Sequence, residues 1–262
     1  MVRILDLLMV AGTAALSIRL FATGLYRRYR VFCIYLVFAT LQSGIFISLN
    51  QRSNAYQKIW VSTEPLEWLL YILVVLEIYA LVLQDYRGLS TAGRWTLIAA
   101  VVVALLASGV SFVVPSQLTL QGSLMRYYYV AERAVYFSLA IFLLSILGFL
   151  MQYPITLNRN VIVHSMVFSV YFLGNTVIYL LLSMRGKASA AQLQNFIFVV
   201  GYALDAITLA AICAWLVMLN PAGELRKVSL RPQWMPGREE ELVSQLNHLN
   251  AALLRATGNR PK

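Results

Sequence analysis

Glu64, Glu67 and Glu77 lie in one apolar run, Trp60 to Gln84, WVSTEPLEWLLYILVVLEIYALVLQ. That run is about the length a helix needs to cross a bilayer. A charge near the bilayer centre costs roughly 2.5 to 3.5 kcal/mol on insertion scales, so such acids belong inside a bundle or against a watery cavity. They mark a place where a ligand or ion can bind. Asp205 poses the same problem near the middle of another apolar run, with no basic side chain expected at its depth. It needs a proton, a hydrogen-bond donor or a bound cation.

Helical spacing gathers other polar groups around these acids. Glu64, Glu67, Tyr71 and Glu77 span an arc of about 140°. Glu77 follows Glu67 by ten residues, about 15 Å deeper along a helix. Tyr127, Tyr128 and Tyr129 precede Glu132 and Arg133, while His164, Tyr171 and Asn175 share a face, as do Asn195, Tyr202 and Asp205. The candidate ligand- or ion-binding residues are therefore Glu67, Tyr71, Glu77, Glu132, His164, Asn175, Tyr202 and Asp205.

Each has a competing structural reading. Ser62, Thr63 and Pro65 look like a helix start, which would make Glu64 and Glu67 first-turn acids near the headgroups. The adjacent Glu132 and Arg133 suit an interface, and the three tyrosines an aromatic belt. His164 would be hydrogen-bonded at headgroup level, and Asp205 could tie two helices together as a protonated acid.

The elements that must position these groups are membrane spans. The 262 residues are 60% hydrophobic and only 12% charged, against about a quarter charged in soluble domains. Seven runs approach or exceed spanning length, near Ile4–Tyr26, Val31–Leu49, Trp60–Gln84, Trp95–Val114, Val130–Met151, Val161–Ser183 and Leu193–Leu219. The first is a retained span and not a signal peptide, because Asp6 interrupts it and no clean cleavage site follows. The expected fold is all-α: a polytopic seven-transmembrane-helix bundle over 1–219, followed by a tail over 220–262. In the fourth run, Ala100, Ala104 and Ser108 recur at the small-residue spacing of closely packed membrane helices.

The formal charge of +10 does not point to nucleic acid, because the Lys and Arg residues cluster at span ends. Their bias predicts an outside N-terminus and a cytoplasmic C-terminus, in a plasma (inner) membrane. After Leu219 a Pro-punctuated basic segment should lie on the inner membrane surface. An amphipathic helix follows near 239–256, with Leu242, Leu246, Leu249 and Leu253 as a stripe that pairs with a second copy, docks a cytoplasmic partner or folds back.

No cofactor or metal is expected. Cys33 and Cys213 lack metal spacing, one intramembrane histidine cannot form a bis-histidine haem site, and Lys58, Lys187, Lys227 and Lys262 all fall outside the spans, which excludes a retinal Schiff base. No catalytic group is named and an enzyme is not expected. The leading expectation is a receptor or sensor whose outward pocket, built from Glu67, Tyr71, Glu132, Asn175 and Asp205, takes a small polar or cationic ligand and signals through the tail. A transporter or proton/cation conduit along Glu67, Asp205, Glu77 and His164 is the alternative, and a structural scaffold the third reading.

Overall fold

Backbone polar groups in hydrocarbon must find partners within their own segment, so apolar runs of this length fold as helices. The structure is a computed structural model and describes residues 2–49, 53–84, 86, 95, 98–99, 102, 123–152, 156–184, 190–229 and 239–256. Its long helices are α1 (Val2–Ala22), α2 (Arg30–Ser48), α3 (Asn54–Val82), α4 (Ser123–Gln152), α5 (Arg159–Met184) and α6 (Ala190–Met218). Each contains a stretch long and apolar enough to cross a membrane, giving six among the described residues. These match six of the seven expected runs. The fourth run, including Ala100, Ala104 and Ser108, lies outside the described residues except for Trp95, Ile98, Ala99 and Val102. The side chains of Tyr127, Tyr128, Tyr129 and Asn195 lie outside them as well.

Neighbouring helices close a ring: α1 packs on α2, α2 on α3, α3 on α4, α4 on α5, α5 on α6 and α6 back on α1, with α3 also meeting α5 across it. The outer faces are apolar, with Ile18, Leu41, Val170 and Val217 exposed. The inner faces carry buried hydroxyls that donate to carbonyls one turn back in their own helices, such as Ser17 to Thr13 at 2.8 Å and Ser169 to Ser165 at 2.7 Å. This is how polar side chains are accommodated where water is absent.

The third run departs from expectation. Its helix begins at Asn54, capped by Ser53, whose Oγ accepts from the Tyr56 amide at 3.1 Å. Pro65 sits inside the helix and does not start it. Glu64 and Glu67 therefore lie about 15 and 20 Å beyond the helix start, and the first-turn explanation of these acids fails.

Of the segment after α6, residues up to 229 are described. They form a one-turn helix, α7 (Ala222–Leu225), then β2 (Lys227–Ser229), which pairs antiparallel with β1 (Thr156–Asn158) in the register Leu157 to Val228. Glu224 holds this junction. Its Oε1 accepts from the Tyr29 hydroxyl at 2.6 Å and Asn160 Nδ2 at 2.7 Å, and its Oε2 from Asn158 Nδ2 at 3.1 Å, with Arg28 Nε at 3.0 Å. Burial and the Glu224 carboxylate keep the Tyr29 phenol well above its ordinary range, so it stays a donor. One carboxylate thus joins the α1–α2 turn, the start of α5 and the tail. Gly223 is required there, because a Cβ would collide with Asn160 Oδ1.

The final helix, α8 (Glu239–Ala256), forms where the leucine stripe predicts. Leu246 is buried within the common apolar core, Leu242 and Leu253 are half-buried, and Leu249 is exposed. Fold-back therefore accounts for part of the stripe.

Replacing Glu224 by Ala strands several donors, each charged hydrogen bond being worth about 1.5 to 3 kcal/mol. The thermal midpoint in nanodiscs should fall by several degrees, and amide exchange over 156–160 and 222–229 should accelerate. Gly223→Ala should act in the same direction. Unchanged exchange in both variants would show that the junction is not held this way.

Candidate functional site

Stripes on five helices converge on a cavity of about 180 Å³ in the half of the bundle away from the Glu224 junction. Helix α1 supplies Met9 and Thr13, one turn apart. Helix α2 supplies Tyr35, Ala39, Gln42 and Phe46, and α6 supplies Thr208, Ala211, Ile212 and Trp215, both at the three- and four-residue steps that keep side chains on one face. Helix α3 adds Glu64, Glu67 and Tyr71, and α5 adds Tyr171.

Tyr71, fully buried, is the hub. Its hydroxyl lies 2.6 Å from Glu67 Oε1, 2.8 Å from the Tyr171 hydroxyl and 3.3 Å from the Tyr35 hydroxyl. A phenol has one proton and two lone pairs. Tyr71 therefore donates to the carboxylate and accepts from Tyr35 and Tyr171, so all three contacts are mutually consistent. The Gln42 amide also serves Glu67, and it donates to Thr63 Oγ1 at 2.9 Å.

Glu132, on α4, lies in the same electrostatic cluster as Glu64 and Glu67. Tyr136 and Tyr179 hydrogen-bond to it, while its Oε2 is buried and has no hydrogen-bond partner among the described residues. Glu132 stands at the start of its apolar stretch, Ala131–Met151, and faces the interior of the bundle, 5% exposed. It adjoins the cavity and does not line it.

Asp205 stands one turn before Thr208 on the cavity stripe of α6, and Asp6 one turn before Met9 on that of α1. Tyr56, ahead of the α3 span, is pushed up by burial, with the charges of Asp6, Glu64 and Asp205 adding to the effect. None of Asp6, Asp205 and Tyr56 is among the lining residues of the cavity. Both aspartates are half-buried.

The remaining predicted residues go elsewhere. Glu77 accepts from the amides of Val31 at 2.9 Å and Phe32 at 3.1 Å, and so caps the first turn of α2. The caps of a helix otherwise leave these donors without partners, and a carboxylate complements the positive helix end. Asn175 is buried, and its amide donates to the Tyr171 carbonyl of its own helix at 2.7 Å. Tyr202 is among the exposed residues.

His164 is fully buried, and neither ring nitrogen has a hydrogen-bond partner among the described residues. Its cage consists of Tyr29 and Phe32 with centroids at 4.6 Å, and Phe168 and Trp215 at 6.2 Å. The headgroup-level hydrogen bond expected for it is absent among the described residues.

Sequence reasoning missed Gln42, Tyr35, Thr208, Trp215 and Asp6 as members of the site. The spacing from Asp6 to Met9 and Thr13 carried the Asp6 signal, but Asp6 was read only as an interruption of an apolar run. No group of three or more His, Cys, Asp or Glu side chains among the described residues has the arrangement to hold a metal ion. Comparisons with protein-family models, with curated proteins and with solved structures gave no match.

Tyr71→Phe should cost about 1 to 3 kcal/mol by leaving Glu67 and two phenols short of a partner, whereas Tyr202→Phe should be close to neutral; thermal melts in nanodiscs compare them. Equal effects would contradict the hub. His164→Phe replaces a ring with two unsatisfied nitrogens by an apolar one and should keep or raise the midpoint. A large fall would mean that His164 has a partner outside the described residues.

Proposed function

We propose that the protein is a receptor- or sensor-like membrane protein that binds a small polar or cationic ligand in the cavity bounded by α1, α2, α3, α5 and α6. The observation that carries this reading is the convergence of Glu64, Glu67 and the Tyr35–Tyr71–Tyr171 hydroxyl network on one cavity inside the helix ring. A structural scaffold gains nothing from leaving such a void among buried carboxylates. At about 180 Å³ the cavity falls below the roughly 300 to 1,000 Å³ that holds drug-sized molecules, so the ligand is smaller than that.

A route for a signal exists in the packing. Trp215 lines the cavity and packs on Phe32 and Phe168, with centroids at 5.0 and 4.6 Å. Beyond them, His164 touches Tyr29, which donates to Glu224 at the base of the tail. Ligand binding acts on the tail only if it favours one arrangement of this column over another. In this reading the N-terminus and the cavity mouth face outside and the tail helix faces the cytoplasm.

The conduit reading has less support. A relay needs titratable groups in connected succession, whereas Glu77 is engaged in capping α2 and His164 has no hydrogen-bond partner among the described residues.

A panel of small amines, alcohols, amides and acids, measured by thermal shift in nanodiscs, tests the reading. At least one class should raise the midpoint of the wild type, and Ala211→Phe or Ala39→Leu, which narrow the cavity, should remove that rise. If no compound stabilises the wild type, or the narrowed variants respond equally, the cavity is not a ligand site.

A further inference from the structure

The charge arrangement around the cavity narrows the ligand class. Two carboxyl groups, Glu64 and Glu67, are in its wall, and a third, Glu132, lies near them with one oxygen unpartnered among the described residues. Among the described residues, no Lys, Arg or His lines the cavity. The described cations at this end are Lys58, which is exposed, and Arg133, which lies next to Glu132 in sequence and is not part of the lining. Two further acids, Asp6 and Asp205, stand one turn before lining residues of their helices. Basic residues gather at the other end instead, with Arg27, Arg30, Arg226 and Lys227 exposed around the Glu224 junction. Acids enclosed together without a basic partner are answered by protons or by a bound cation, and a cation that enters favours their ionised form.

The rest of the lining decides what sort of cation fits. Tyr35, Phe46, Tyr71, Tyr171 and Trp215 present five aromatic rings. Divalent metal ions want about six or more oxygen ligands, and the described acids do not form a metal-binding group. Aromatic rings instead favour an organic cation with an apolar body.

We infer that the cavity binds a small protonated amine, its ammonium group donating to the Glu64 and Glu67 carboxylates and its hydrocarbon part packed against the aromatic wall, with entry past Asp6 and Asp205. This rests on the ligand-binding reading above and sharpens it. Glu67 Oε1 already accepts from Tyr71, and Gln42 also serves the carboxylate; these donors hold it in place, and a carboxylate with about four acceptor sites can still take a further donor. Glu132 supplies a second layer of negative potential behind them. An acid of the same size finds no positive partner in the wall, and an alcohol of the same size loses the charge interaction.

Three probes of nearly equal size separate these effects: butylammonium chloride, butan-1-ol and sodium butyrate, titrated calorimetrically into the full-length protein in nanodiscs at neutral pH. Butylammonium should bind the wild type about ten- to a hundredfold more tightly than butan-1-ol, as expected of a charge-assisted hydrogen bond, and butyrate should not bind. Glu67→Gln and Glu64→Gln should each remove most of that preference. Because buried substitutions can unfold a bundle, the double variant Asp6→Asn/Asp205→Asn, at half-buried positions, provides an independent arm: butylammonium association should slow and lose much of its salt dependence. Equal binding of butan-1-ol and butylammonium would overturn the amine assignment and leave the cavity as a ligand site, while tighter binding of butyrate would overturn the charge argument outright. If none of the three binds the wild type, the ligand-binding reading falls with it.

Discussion

A carboxylate enclosed among membrane helices must be met by hydrogen-bond donors, and that requirement shapes this bundle from one end to the other. Glu67 is met by Tyr71 and Gln42, Glu77 by the first amides of α2, and Glu224 by Tyr29, Asn158, Asn160 and Arg28. Glu77 and Glu224 take these donors from other helices or turns, and Glu67 takes Gln42 from α2 besides Tyr71 of its own helix, so satisfying each acid fixes the relation of two or three elements. Apolar packing alone gives little preference between helix faces in lipid, where hydrocarbon surrounds both states. The acids supply the register that leucine and valine cannot.

The two ends of the helices use this rule differently. At the junction end Glu224 is surrounded by donors at contact distance, and the result is a closed seam joining β1, β2 and the α1–α2 turn. At the cavity end Glu64, Glu67 and Glu132 lie close together with an unfilled volume beside them, and one Glu132 oxygen lacks a partner among the described residues. A junction of the first kind is finished; an arrangement of the second kind keeps acceptor groups and space beside them. Between them the aromatic tract of Trp215, Phe168, Phe32, His164 and Tyr29 fills the interior. The cavity and the tail anchor are therefore parts of one packed column.

The spans and several of the acids were legible in the sequence, because apolar length and misplaced charge are local signals. Glu67 and Tyr71 stand out for the same reason, being four residues apart on one helix and bonded as that spacing allows. What stayed hidden depends on contacts between distant segments. Glu77 looked like a site residue because its partners are backbone amides of another helix, which no side-chain pattern announces. Pro65 looked like a helix start because proline favours the first turn, yet Ser53 begins the helix three turns earlier. Glu224 carried no signal at all: a single acid in a basic segment reads as surface until Tyr29, Asn158 and Asn160 are brought to it. His164 was expected to have a polar neighbour and instead sits among aromatic rings.

The most direct measurement of the central claim is cysteine accessibility in the folded protein. Ser43, on the cavity wall, is replaced by cysteine in a background where Cys33 and Cys213 are alanine, and Val170, which is 70% exposed on the outer face of α5, serves as the lipid-facing control. A water-borne cavity lined by carboxylates predicts rapid reaction of the Ser43→Cys variant with aminoethyl methanethiosulfonate, slower reaction with its sulfonate analogue, and little reaction of Val170→Cys with either. An inert Ser43→Cys variant, or one that prefers the anionic reagent, would contradict a wet acidic cavity at the heart of the bundle.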